Sequence, residues 1–132
     1  MNDEKTQMVD LLEAKVNRST VIYKFSKSGF LIGKKLYKYS IFIGPEKVES
    51  WKLQSNLVTL IDFNFLKKVK TTPELLLIGV GASLEDPFFK LRSLMSDQNI
   101  PVEIMTTSAA CRTWNVLLSE GRNLFACIKL PN

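Results

Sequence analysis

Hydrophobic and polar positions alternate in two different ways along this chain. From Thr20 to Leu53 the apolar residues come in short runs separated by turn formers. Thr20–Phe25 is dense in β-branched and aromatic residues and is followed by Ser26, Lys27, Ser28 and Gly29. Phe30–Ile32 runs into Gly33, Lys34 and Lys35, Tyr39–Ile43 ends at Gly44-Pro45, and Val48–Leu53 carries Trp51. β-branched and aromatic side chains suit a pleated, half-buried surface, while Gly, Pro and Ser reverse the chain. The pattern predicts a β meander without a helix. Beyond it, Asp62 is placed to cap a short helix through Phe63, Leu66 and Val69 that stops before Thr72-Pro73.

The second half changes period. Leu75–Val80 has no polar side chain, as expected of a strand covered on both faces. Pro87 opens a helix with Phe88, Leu91, Leu94 and Met95 on one side, and Asn99-Ile100-Pro101 ends it. Val102–Thr106 reads as a second buried strand, Ser108–Glu120 as a second helix and Leu124–Leu130 as a closing strand. Strand, helix, strand, helix, strand with short links predicts an α/β core whose strands at 75–80 and 102–106 are parallel. Met8, Leu11, Leu12 and Val16 form a short apolar stripe, so residues 1–18 are expected to be a helical or flexible appendage to a single α/β domain at 19–132.

Composition narrows the function classes. The chain has 132 residues, 45% hydrophobic and 23% charged, which fits one folded domain and argues against disorder. No apolar run approaches the ~20 residues of a membrane-spanning helix. Asp3, Glu4, Asp10 and Glu13 among the N-terminal lysines speak against a secretory signal or transit peptide, so the expected location is cytoplasmic. Two cysteines, Cys111 and Cys127, sit outside any Cys-x-x-Cys arrangement and are read as reduced thiols. With no histidine, neither a Ser-His-Asp nor a Cys-His relay can be built, and too few thiolates remain for zinc. No catalytic residue, metal ligand or cofactor is assigned.

Any ligand of an open α/β sheet settles at the carboxyl ends of its parallel strands. Those ends are Gly79-Val80-Gly81 and Met105-Thr106-Thr107-Ser108, with a helix N-terminus beside them and Arg112 one turn further on. The Gly-x-Gly lacks the third glycine of a dinucleotide fingerprint, Leu84 standing there, and no P-loop Gly-Lys-Ser/Thr follows. A tight turn with dense helix–sheet packing is the plainer reading of the two glycines. On the second helix Ala110, Trp114, Leu117, Leu118 and Gly121 share an arc expected to be buried, and Cys111 at its edge is read as a packed, inert thiol. Ser108, Arg112, Asn115, Ser119 and Arg122 share the opposite arc. That arc is either a solvated face with local ion pairs, or a recognition strip in which Arg112, Asn115 and Arg122 contact a partner. A third role is open to Asn115: if the β-rich part covers it, its amide ties two layers together.

Net charge is +5, and Lys24, Lys27, Lys34, Lys35, Lys38, Lys47 and Lys52 crowd the meander against Glu46 and Glu49. Tyr23, Phe25, Phe30 and Tyr37 interleave with them, but no RNA-binding signature is present. Strand alternation sends aromatics inward and lysines outward, so a solvated face is favoured over a nucleic-acid platform. An acidic protein partner could use the same patch.

The run from Met105 to Arg122, MTTSAACRTWNVLLSEGR, resembles the signature of the family known as domain of unknown function 498, which includes a mitochondrial assembly factor of the NADH:ubiquinone oxidoreductase complex and bacterial relatives. The matching residues are Gly79, Gly81, Met105, Thr107, Ala110, Arg112, Thr113, Asn115, Leu117, Glu120, Gly121 and Arg122, while Thr106 replaces the usual acid and Trp114 the usual Tyr. The resemblance implies a three-layer α/β fold with a mixed central sheet, a β-rich N-terminal part and a last strand antiparallel to the others. It implies a non-enzymatic protein-interaction module, an assembly factor for a respiratory (complex I-like) or other multi-subunit complex, with a protein partner. The alternative is a small-molecule or anion-binding protein, or an enzyme, using Gly79, Gly81, Thr106, Thr107, Ser108 and Arg112 at the strand-end crevice.

Overall fold

A computed structural model describes residues 18–53, 73–84, 92–93 and 100–131. A 3₁₀ turn at Arg18–Thr20 leads into β1 (Ile22–Ser26), β2 (Gly29–Ile32) and β3 (Lys35–Tyr37), which form an antiparallel three-stranded sheet in that order. Both hairpins are tight. Ser26 pairs with Gly29, and Ile32 with Lys35, leaving two-residue loops. At the second loop Gly33 sits at φ 61°, the left-handed region such turns demand. Lys35, expected in the turn, is therefore the first residue of a strand. The register of β1 slips between Ile22 and Lys24, and Tyr23 at the slip is 41% exposed.

The second sheet is mixed. Its strands are β4 (Ile41–Ile43), β5 (Val48–Ser50), β6 (Leu75–Gly79), β7 (Val102–Met105) and, after helix α1 (Thr107–Leu118), β8 (Leu124–Ile128), in the spatial order β5-β4-β8-β6-β7. β6 and β7 are parallel, with Leu76 opposite Val102 and Gly79 opposite Met105, as the strand–helix–strand order predicted. β7 is not the buried strand expected, because it lies at the edge of the sheet with Glu103 exposed. The expected antiparallel last strand is corrected. β8 runs parallel to β6 and is antiparallel only to β4. The reason is α1, which carries the chain from the C-terminal end of β7 back to the other end of the sheet, so the next strand must run in the same direction.

Helix α1 begins where Thr106, extended at φ −65° and ψ 159°, caps it by accepting from the Ala109 N–H at 3.3 Å. It ends where Gly121, at φ 70°, donates to the Leu118 carbonyl at 3.1 Å. Ala110, Cys111, Trp114 and Leu118 are its buried stripe. They share one core with Val21, Ile22, Phe30 and Ile32 of the meander and with Ile41, Ile43, Leu77, Leu124, Ala126 and Ile128 of the mixed sheet. The helix thus lies between two sheets, giving the layered α/β arrangement expected. The other face of the mixed sheet forms a second cluster of Phe42, Trp51, Leu76, Ile78, Val80, Ile104 and Cys127. The appendage expected at 1–18, apart from Arg18, and the helix expected after Asp62 lie outside the described residues. So does the helix expected after Pro87, save Arg92 and Ser93, which are helical.

Candidate functional site

The carboxyl ends of the parallel strands come together at one rim, where α1 starts. Gly79 carries no side chain there because none fits. A Cβ would stand 2.9 Å from the Ala110 Cβ, 3.1 Å from the Ile128 Cγ2 and 3.3 Å from the Thr107 Cα. Thr107 is fully buried and binds this rim together. Its Oγ1 accepts from the Gly81 N–H at 2.9 Å and donates to the Lys129 carbonyl at 2.5 Å, while its own N–H donates to the Gly81 carbonyl at 2.9 Å. The Lys129 N–H returns to the Gly79 carbonyl at 2.9 Å. Gly81 and Thr107 therefore spend their polar groups on each other and on the backbone of Lys129, which also binds the Gly79 carbonyl. Thr106 and Ser108 flank them half-buried, with Thr106 committed to the cap and Ser108 Oγ accepting from Arg112 Nη1 at 2.6 Å.

Asn115 has left the strip on which the sequence placed it. Its Oδ1 accepts from the Ile22 N–H at 2.9 Å and its Nδ2 donates to the Ile22 carbonyl at 2.8 Å. A side-chain amide in this pose substitutes for a neighbouring strand and closes the backbone of β1 against the helix. One residue earlier, the Trp114 indole N–H donates to the Thr20 carbonyl at 2.9 Å and the ring is fully buried. Trp114, where the family signature has Tyr, thus carries a polar handle directed at the meander.

Arg112 and Arg122 remain outward and exposed. Arg122 reaches Glu74 at 3.1 Å, so the local pairing goes to that acid on the β6 side. Between them the sequence reading overlooked Val116, which is 60% exposed. It stands one turn after Arg112 on the polar arc, and an apolar residue out of place on such an arc was the available signal. Leu36 at 51% exposure and Leu84 at 57% carry no assigned face in the sequence pattern, and Tyr23, expected to point inward by strand alternation, is 41% exposed instead.

Two concavities adjoin. One of about 460 Å³ lies between β1 and α1, lined by Tyr23, Lys24, Phe25, Cys111, Arg112 and Asn115. The other, of about 790 Å³, lies over the meander and includes Tyr23, Leu31, Gly33, Lys34 and Lys35. Cys111 is buried and Arg112 is its charged neighbour, yet burial dominates and pushes the thiol up to about 12. It is a packed thiol, as expected, and its environment is the opposite of one that activates a nucleophile. The meander lysines are all exposed and Phe30 is fully buried, whereas Tyr23 faces out. Among the described residues no group of three or more Cys, Asp or Glu could hold a metal ion.

Fold and rim together define a small layered α/β domain with a helix trapped between two sheets. The chain belongs to the family described as a protein of unknown function (DUF498/DUF598), which it matches over residues 22–128. The 13 kDa major membrane protein of Francisella tularensis subsp. holarctica (strain LVS) is 25% identical, over 92% of this chain and 98% of its own. NADH dehydrogenase (ubiquinone) 1 alpha subcomplex assembly factor 3 of Mus musculus is 27% identical, over 93% of this chain and 67% of its own. Among solved structures, an outer membrane protein from Bartonella henselae is 28% identical with a TM-score of 0.68, covering 86% of this chain and 96% of that one. A Bordetella pertussis protein described as an Mth938-like domain superimposes with a TM-score of 0.62 at 21% identity, covering 86% and 87%, and shares the fold. Among the described residues no helix is long and apolar enough to cross a membrane.

Proposed function

We propose that this chain is a protein-interaction module that supports assembly of a multi-subunit complex, and that it presents the outward face of α1 to its partner. The observation that carries the reading is Val116, 60% exposed on a helix whose other faces are packed, with Arg112 a turn before it and Arg122 beyond the helix end. An exposed aliphatic side chain framed by arginines has the composition of a recognition patch, in which the apolar residue supplies burial and the guanidinium forks supply direction. The likeness to proteins named as assembly factors of NADH dehydrogenase supports the same role, a respiratory complex being the first assembly to examine. Filling of the strand-end rim by Thr107 favours this surface over a crevice ligand among Gly79, Gly81, Thr106, Thr107 and Ser108. Affinity capture from the native cell tests it. The tagged chain should retain a defined protein, and Arg112→Ala/Arg122→Ala should lose it while melting as the unaltered chain does. Capture of nothing by the unaltered chain, or equal capture by the variant, overturns the reading.

A further inference from the structure

We propose that the furrow over the meander, continuing past Tyr23 into the cleft beside Arg112, takes an acidic amphipathic segment of a protein partner. The inference deepens the interaction reading above and rests on it, because it names the chemistry of what binds. Tyr23 lines both concavities, so they meet at its side chain, one beside the β2–β3 turn and the other against the middle of α1. The register slip in β1 places Tyr23 at that junction, 41% exposed. Leu31, half-buried, lies in the furrow, and its cross-strand partner Leu36 is 51% exposed beside it. Apolar surface of this kind on a three-stranded sheet attracts leucine- or phenylalanine-sized side chains.

Charge selects among apolar occupants. Lys34 and Lys35 border one end of the path, and Lys24 and Arg112 the other. No carboxylate is among the described residues lining either concavity, and the Lys47–Glu49 and Arg122–Glu74 pairs lie elsewhere. Four cations around an apolar floor complement a segment that alternates acidic and apolar residues, and the cations also accelerate its approach. Single-stranded nucleic acid fits less well. It requires open aromatic faces for stacking, whereas Lys35 Nζ stands 5.3 Å over the Tyr37 ring and Tyr37 meets Tyr39 edge to face at 80°. A membrane surface presents a plane, and this path is concave.

The test uses the full chain and a fluorescein-labelled synthetic peptide of alternating leucine and glutamate, read by anisotropy. A second peptide carries glutamine for glutamate. Single-stranded oligothymidylate and phosphatidylglycerol vesicles serve as the rival anions. The expected result is saturable binding of the acidic peptide, weakened about tenfold or more by Leu36→Asp, by Lys34→Glu/Lys35→Glu and by the glutamine peptide. Each altered residue is exposed, and thermal melting confirms that the variants fold. Binding that is indifferent to these changes overturns the proposal. So does variant-sensitive binding of oligothymidylate or vesicles without the peptide, or concentration-dependent self-association that Leu36→Asp abolishes. If native capture still depends on Arg112 and Arg122 while the peptide fails, this inference falls and the interaction role stands. If native capture fails as well, both fall.

Discussion

Asn115 completes the backbone of Ile22 from both sides, accepting its N–H at 2.9 Å and donating to its carbonyl at 2.8 Å. The two residues are 93 positions apart, and the pair is what registers the meander against the helix. Removing the amide leaves two backbone groups with neither strand nor water fully available to them. Asn115→Ala is expected to lower stability by about 2–3 kcal/mol, and Asn115→Leu, which restores bulk but no polar atoms, by a similar amount. Urea denaturation measures both. A loss below about 0.5 kcal/mol would mean that the two hydrogen bonds do not hold the layers.

Thr107 offers a sharper comparison, since its hydroxyl serves Gly81 and Lys129 at once inside a fully buried site. Thr107→Val keeps the shape and leaves a buried donor and acceptor unpaired, so a loss of about 1–3 kcal/mol is expected. Thr107→Ser retains the hydroxyl and should lose less. The same denaturation curves distinguish them. If the serine variant is the weaker, methyl packing and not the hydrogen bonds closes the rim.

Gly79→Ala adds one methyl where the Ala110 Cβ, the Ile128 Cγ2 and the Thr107 backbone already stand within 3.3 Å. Overpacking of this kind costs about 1–3 kcal/mol. Gly121→Ala meets nothing within 4 Å, and only its positive φ opposes it, so about 1 kcal/mol is expected there. Thermal melting should therefore place the Gly79 variant below the Gly121 variant.

Much of this was legible in the residues, and the failures have physical causes. Leu75–Val80 could be placed inside the sheet because a strand with no polar side chain needs cover on both faces, and its parallel pairing with Val102–Thr106 followed from the strand–helix–strand order. The burial expected of the second strand fails because β7 stands at the sheet edge, where Glu103 is exposed. The burial of Ala110, Trp114 and Leu118 followed from helical spacing. The role of Asn115 was foreseen only as conditional on a covering layer, since nothing local says which face of a helix a distant sheet will meet. β3 was lost because Lys35 was counted with the turn, although a two-residue loop at Gly33-Lys34 frees it to pair. β8 runs parallel to β6 because the β7–α1–β8 connection returns the chain to the end of the sheet where β7 began, whereas the family resemblance implies an antiparallel last strand. Site residues fared unevenly. Arg112 and Arg122 do face outward; Val116 and Leu36 carry no signal in periodicity, which ranks residues by class, and Tyr23, expected inward, is turned out by the register slip in β1.

Burial holds the Cys111 thiol at about 12, against an ordinary 9.0. In the folded chain it stays protonated where the unfolded chain would ionise, so the unfolded state binds fewer protons above pH 9. Its contribution to stability is complete below that pH and declines steadily as pH rises toward 12. Cys111→Ala should flatten that part of the stability–pH curve. Iodoacetamide at pH 8 should leave the native thiol unmodified and label it once urea unfolds the chain.

Arg122 and Glu74 are 41% and 54% exposed, so their 3.1 Å pair contributes little to folding. Arg122→Ala is expected to change stability by less than about 1 kcal/mol, which makes it a probe of binding and not of fold. A greater loss in urea would assign Arg122 a structural role instead.

Photo-crosslinking in the native cell probes the interaction role most directly. A benzoylphenylalanine at Val116 should capture one defined protein, and the same group at Glu103, exposed on β7, should not. Equal capture from both positions, or capture from Glu103 alone, would contradict the assignment of the outward α1 face as the partner surface.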